Sequence, residues 1–553
     1  MKKWNYLLMA MGVAMTLSAC TDETDLAAGN GMNTTEDVDQ VFMQFKLGLP
    51  TASRSQTEAD GGSDAGVEIG KDYENKVSNV LVVITNAEKG DNYDKYITQS
   101  YVSAPAAAGD NNMYVVPFSS TALANYANKP VNVYVICNPT DEIKNSFSVD
   151  KTYTLDFSSE SENPVWSWKA GTEDNTNDLR FLMTNADTDY TRTMPANFNN
   201  YKVASNPFNI RTINVERAAA RFDYKSSNED ETYTLMGTDT DPEVTVTLKE
   251  MALVNMSKSF YYLRRVSVDG TASNVTIGGT EVGGTNANYV VDTDASWKSS
   301  YNGSGASDHF YYVYTPNDIT TPNYEWTEIT KVTGEDGTED NDDEWNSTSA
   351  TEKQGYKIWR YATENTIPGT TNNTFQKKGI TTGVVFKGEL KAVKDDTTVK
   401  TAMDGTNTVY VYNDIMYGTW ENVKTAATTD NPTLKVAYDK AGGATATKTN
   451  AVAAGFTVFE PNASGTYEVL YYYWNRHNDN DQDGVMGPME FAVVRNNVYK
   501  LSVTGVHKFG HPTDDENDPD PENPDDPDES SNVYFSVTAK VLPWVVRINN
   551  IKF

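Results

Sequence analysis

Short apolar runs that alternate every second residue recur along most of this chain, and that restricts it to folds built from strands. Val41, Met43, Phe45, Leu47 and Leu49 alternate with other residues, giving an extended segment one apolar face, and Pro50 ends it. Runs of the same kind cover 77–84, 113–118, 131–137, 244–248, 310–314, 384–390, 409–412, 467–473 and 491–503. Between them lie segments rich in turn formers. No long stretch shows the 3.6-residue period of a helix, one short helix is expected over 121–127, and no repeat of fixed period is visible. The abundance of Thr, Tyr, Val, Asn and Gly points the same way. The predicted fold class is therefore all-β, of the sandwich kind rather than βαβ units.

The first twenty residues carry a different signal. Lys2 and Lys3 precede a largely apolar stretch over 6–17, which leads into Leu17-Ser18-Ala19-Cys20. A basic start, a short apolar core and small residues before the cut make a secretory signal peptide, here 1–19. The apolar run is short for a bilayer span. A Cys directly after Leu-Ser-Ala matches the lipobox of bacterial lipoproteins, so Cys20 is expected to be acylated and to become the mature N-terminus. Each buried acyl methylene adds ~0.8 kcal/mol of membrane affinity, so several chains hold durably. Residues 20–36 are small and polar and read as a flexible tether. Cys137 is the only other cysteine, which excludes an internal disulfide once Cys20 is modified. Its strand-like surroundings predict a small buried hydrophobe.

A length of 553 residues favours two to four domains. The expected division is an N-terminal domain over 37–214, with its first strand at 37–50, and a C-terminal domain over 215–511. Residues 512–531 are an acidic, Pro-rich linker: from Asp514 to Glu529 there are ten acidic residues, four prolines and no basic residue. Such a segment is expected to stay extended. Strand signal resumes over 532–553, where Val533, Phe535, Val537 and Val541 alternate before Pro543, and Trp544, Val546 and Ile548 continue after it. A strand pair on an extended linker has to pair somewhere. Arg54 is the only arginine before residue 180 and lies in a polar loop behind the first strand, where proteolytic nicking concentrates.

The residues exclude more chemistry than they suggest. The four histidines, His309, His477, His507 and His511, have no metal-ligand spacing, and no nucleophile elbow, phosphate loop or dinucleotide fingerprint occurs. A net charge of −32 repels nucleic acid and anionic lipid. No enzyme activity and no cofactor are expected. Asp479, Asp481, Asp483 and Glu490, with Gly484, fit the oxygen-ligand spacing of a calcium loop, but the flanks are strands where that motif has helices. An acidic hairpin turn is the preferred reading, leaving these four as weak calcium candidates.

Three segments together resemble one family. Tyr361-Ala362-Thr363-Glu364-Asn365-Thr366, followed by 381–387, looks like the Glu-Asn-Thr block of Bacteroidota fimbrillins. The stretch Tyr472-Tyr473-Trp474-Asn475-Arg476-His477-Asn478, running on through Met486-Gly487-Pro488-Met489-Glu490-Phe491 to Val494-Arg495-Asn496-Asn497-Val498-Tyr499-Lys500-Leu501, resembles the C-terminal domain of the minor (short) fimbrial subunit. Val541-Leu542-Pro543-Trp544 matches as well. The likeness covers 355–553 closely and the N-terminal half only in architecture. It implies two tandem transthyretin-like β-sandwich domains with C-terminal donor strands, in a subunit of a type V pilus. It implies export as a lipoprotein and cleavage by an arginine-specific protease after the first strand, at Arg54. Val41, Met43, Phe45, Leu47 and Leu49 would then be displaced by another copy's Val533, Phe535, Val537, Val541, Trp544, Val546 and Ile548. The implied partners are identical subunits, accessory anchor and tip subunits, that protease, and the outer membrane through the precursor's lipid. The mature form would lie in extracellular fimbriae. The alternatives are a non-polymerising surface lipoprotein, either a fimbrial anchor or tip adhesin, or a glycan binder; a hydrolase has no support in the residues.

Overall fold

Alternation in the first strand becomes alternation of burial. The computed structural model describes residues 39–545 apart from 49–67, 104–112, 155–164, 168–179, 278–288, 315–323, 334–355, 369–376, 478–488, 524–533 and a few shorter gaps. Strand β1 (Gln40–Gly48) buries Val41, Met43, Phe45 and Leu47 and leaves the residues between them wetter. After β2 (Glu68–Ile69) come β3 (Asn79–Asn86), β4 (Tyr96–Ser103), β5 (Met113–Ser119), β6 (Pro130–Cys137), β7 (Met183–Asn185) and β8 (Phe208–Arg217). Their main sheet runs β4–β3–β6–β7–β8–β1–β5 in space. β3 and β6 are near-continuous apolar runs and are buried on both faces, as central strands require. Between β5 and β6 the chain makes the short helix α1 (Ser120–Leu123), capped by the Ser119 hydroxyl, and one 3-10 turn, close to the predicted helix.

The chain leaves this sheet at Arg217 and enters the next at Ala219. The following strands are β9 (Ala219–Tyr224), β10 (Thr232–Thr238), β11 (Asp241–Val254), β12 (Lys357–Thr363), β13 (Gly383–Ala392), β14 (Tyr467–Trp474), β15 (Asn497–Val506), β16 (His511–Pro512) and β17 (Phe535–Val545). One sheet has the order β2–β17–β15–β9–β12, the other β10–β11–β13–β14–β16. Period-2 alternation decides which side chains meet between them. Val384 and Phe386 share the main core with Phe222, Tyr224, Tyr499 and Leu501, whereas Val385, one residue out of phase, joins a second core with Phe310, Tyr472 and Trp474. The rings of Tyr224 and Phe386 lie 5.9 Å apart across the sandwich. The main core also takes in Val41, Phe45 and Val135, so one buried core serves both halves of the chain.

Two features depart from the sequence reading. The connection from β13 to β14 is helical over much of its length, with α3 (Trp420–Thr429), α4 (Pro432–Lys440) and α5 (Lys448–Ala453); α2 (Ala295–Lys298) lies earlier in the chain. These helices build their own small core from Val423, Leu434, Ala437, Tyr438 and Phe456. The expected strands also shift: 491–496 holds turns and a single bridge from Val493 to Asn365, and the strand itself begins at Asn497.

Candidate functional site

β1 is held on both sides. It pairs antiparallel with β5, from Gln40 opposite Ser119 to Lys46 opposite Met113, and parallel with β8, from Met43 opposite Phe208 to Gly48 opposite Asn214. Val41, Met43 and Phe45 are 0% exposed and Leu47 is 1% exposed. The Phe45 ring stacks on Tyr114 with centroids 5.4 Å apart. Taking β1 away would therefore leave two strand edges with unpaired main-chain groups, flanking an apolar slot one strand wide. Leu49, Arg54 and Cys20 lie outside the described residues.

The terminal strand already has a place. In place of the expected strand pair interrupted at Pro543, β17 is a single strand running through Pro543, paired antiparallel with β15 of the same chain. The register runs from Asn497 opposite Pro543 to Val506 opposite Phe535, with an irregularity at Val503–Gly505. Val541 stands opposite Tyr499, and Val537 opposite Val503. Tyr534 and Val537 pack against the main core. On its other edge β17 meets, among the described residues, only the two residues of β2, with Glu68 opposite Trp544 and Ile69 opposite Val545. Pro543 stands opposite Asn497, the first residue of β15, at the end of this ladder. Val533, Val546 and Ile548 lie outside the described residues. Just beyond β2, fully buried Glu74 pairs with Arg221 at 2.9 Å and accepts from the Tyr361 hydroxyl at 2.7 Å. This fixes the chain between β2 and β3.

The acidic segment is not free throughout. Its first part, up to Asn523, is folded onto the body, because His511 supplies a counter-charge that composition alone conceals. His511 Nδ1 meets Asp518 at 2.6 Å, Nε2 lies 3.6 Å from Glu522, and the imidazole sits 4.7 Å from the Tyr534 ring. The Tyr314 hydroxyl donates to the Glu522 carbonyl at 2.8 Å. Burial alone would lower the His511 pKa, but hydrogen bonds and charge from Asp518 and Glu522 raise it from 6.5 to about 9. Its folded value is above the unfolded one, so its contribution is complete below about 6.5 and is lost as pH rises through about 9. A Glu-specific protease should therefore cut 512–523 slowly at neutral pH and progressively faster towards pH 9, with the profile flattened in His511→Gln. Uniform resistance through that range contradicts the prediction.

The remaining candidates are soon placed. Asp479, Asp481 and Asp483 lie outside the described residues. Glu490 is buried and forms an ion pair with Arg476, whose guanidinium stacks over Phe491. Among the described residues no group of three His, Cys, Asp or Glu could hold a metal ion. Cys137 is buried in β6, and burial pushes its thiol pKa up, away from reactivity.

Comparison with known proteins gives this geometry a context. Residues 466–550 match the family described as major fimbrial subunit protein type IV, fimbrillin, C-terminal. That span runs from just before β14 to just past β17. No curated protein sequence matches the chain. Among solved structures, the tip fimbrial protein Mfa3 from Porphyromonas gingivalis, with a C-terminal truncation, is 9% identical. The overlay covers 91% of this chain and 100% of that one, with a TM-score of 0.35. A fimbrilin, FimA, from Porphyromonas gingivalis W83 is 12% identical, with 91% and 98% covered and a TM-score of 0.33.

Proposed function

We propose that this chain, a member of the fimbrillin family by its residues 466–550, is a structural pilus subunit that polymerises by strand exchange. The family is described as a fimbrial subunit, a structural role at the cell surface rather than a catalytic one. In this reading the precursor is exported as a lipoprotein acylated at Cys20, and an arginine-specific protease cuts after Arg54. β1 leaves, and β17 of another copy enters the slot between β5 and β8. Main-chain bonds hold such an added strand and alternate side chains set its register. The observation that carries the proposal is the placement of β1: it is paired on both sides with four apolar side chains buried, and Arg54 follows it in the sequence. Glu74 and Arg221 would keep the chain beyond the cut in place.

Mass analysis of the subunit from native fibres tests this. The N-terminus is expected at Ser55, with no acyl group. Cys20→Ala should give a precursor without acyl label and with little surface display. Arg54→Ala should accumulate monomers that retain residues 41–48. Ordinary fibres of Arg54→Ala with an intact N-terminus would overturn the proposed trigger.

A further inference from the structure

A fully buried lysine sits against a fully buried asparagine, with a carboxylate beside the lysine. Lys298 ends α2 and is 0% exposed; Asn365 is 1% and Asp292 2% exposed. Lys298 Nζ donates to Asp292 Oδ2 and to Asn365 Oδ1, and to the Thr366 carbonyl at 3.1 Å. Asp292 is itself held in place, accepting from Thr366 N at 2.8 Å and from Asp294 N at 2.9 Å. The Asn365 amide nitrogen is gripped on its other side, donating to Thr382 Oγ1 at 2.8 Å, the Ile380 carbonyl at 3.1 Å and the Asn255 carbonyl at 3.2 Å. The Phe310 ring centroid lies 5.5 Å from Lys298 Nζ, within the second apolar core that also holds Ile367, Ile380 and Phe491.

We propose that Lys298 and Asn365 become joined by an isopeptide bond that the folded chain forms in itself. A desolvated lysine amine is a competent nucleophile once neutral. An amine and an amide fixed in contact by the fold react as if at very high concentration, because the entropy of bringing them together is already spent. Asp292 is the proton carrier. Lys298 passes one proton to its carboxylate, which leaves a neutral amine and a neutral acid. The Nζ lone pair attacks Asn365 Cγ, a new C–N bond forms, and the tetrahedral centre collapses with loss of the C–Nδ2 bond. Nζ sheds two protons in all: one passes by way of Asp292 to the departing amide nitrogen, and the second stays on Asp292, so the products are a secondary amide, one ammonia and a neutral Asp292 carboxyl, and no oxidant or cofactor is consumed. Burial pushes the Asp292 carboxyl pKa upward against the opposing charge of Lys298, which eases its uptake of a proton. The product ties α2 to the strand connection after β12, a bridge across 67 residues of chain. A covalent tie of this kind keeps the C-terminal half from unravelling under pull.

Intact mass spectrometry of the folded full chain tests the bond. The whole population should be lighter than its sequence by one ammonia, and a tryptic digest should give one branched peptide joining the segments around 298 and 365. The branched peptide distinguishes this bond from ammonia loss at any other asparagine. Asn365→Ala and Asp292→Asn should each return the chain to its full sequence mass with a linear digest. A wild-type mass equal to the sequence, with residues 298 and 365 found in separate linear peptides, overturns the proposal whether or not the variants fold. A branched peptide in Asp292→Asn overturns the role of Asp292.

Discussion

With Ser502 and Thr538 both replaced by cysteine, the subunit is expected to form no fibres while oxidised and to regain them on reduction. These residues are register partners on β15 and β17 of one chain. Directly opposed residues of an antiparallel pair hold their Cβ atoms about 4.5–5.5 Å apart. A disulfide needs about 3.5–4.5 Å, so a small backbone adjustment closes the bond. Cys137, buried in β6, is shielded from exchange with the new pair. If β17 serves as the donor, it must first leave β15, and a covalent bond to β15 forbids that whatever contacts the neighbour offers. The effect is accordingly all-or-none, read by electron microscopy with and without reductant. Truncation after Ser531 should also abolish fibres, but it uncovers β15, whose Val498, Tyr499, Leu501 and Val503 are buried. Loss of fibres there mixes a missing donor with a damaged fold. The oxidised lock keeps the fold and removes only the freedom to exchange, so long fibres from it would deny β17 the donor role.

The sequence was most readable where burial is strictly one-sided or strictly complete. Val41 to Leu47 alternate in the chain and in burial, and the near-continuous apolar segments at 79–86 and 130–137 became central strands. Reading failed where a residue's partner is remote or its spacing is diluted. In α3 and α4 the apolar positions Val423 and Ala427, then Leu434, Ala437, Tyr438 and Ala441, do follow helical spacing, and Asn431 with Pro432 marks a start. Alanine and threonine fill so much of both segments that the period has little contrast. The acidic segment reads as solvated because its charges have one sign, yet a single buried histidine a few residues upstream docks its first part. Pro543 looks like a strand end, but β17 runs on through it, opposite Asn497 at the end of the ladder with β15. The Lys298–Asn365 contact was not legible at all. Its two residues are far apart in sequence, and the Glu-Asn-Thr segment stood out only through resemblance.

Phe45→Ala is expected to destabilise the uncut precursor strongly and to leave the mature fibre unchanged. Phe45 is wholly buried and stacked on Tyr114, so truncation loses both the transfer energy of the ring and the contacts around the void it leaves. Such changes cost about 3–5 kcal/mol. The precursor should therefore unfold at clearly lower denaturant concentration, with an unchanged denaturant slope if only stability has changed. In the fibre the outcome depends on what occupies the slot. Fully burying each apolar side chain there stabilises by about 1.5–3 kcal/mol, so the four from Val41 to Leu47 contribute about 6–12 kcal/mol gross. A vacated slot of that size cannot stay open to water; either β1 remains in it or another strand takes its place. If another copy's strand has taken it, residue 45 is absent from the fibre and its substitution has nothing to act on. Fibres assembled from Phe45→Ala should then dissociate at the same temperature as wild type. Combining Phe45→Ala with Arg54→Ala should preserve the defect, since β1 is then never removed. Fibres that weaken in parallel with the precursor would mean that β1 is still inside them, and the exchange mechanism would fall with that result.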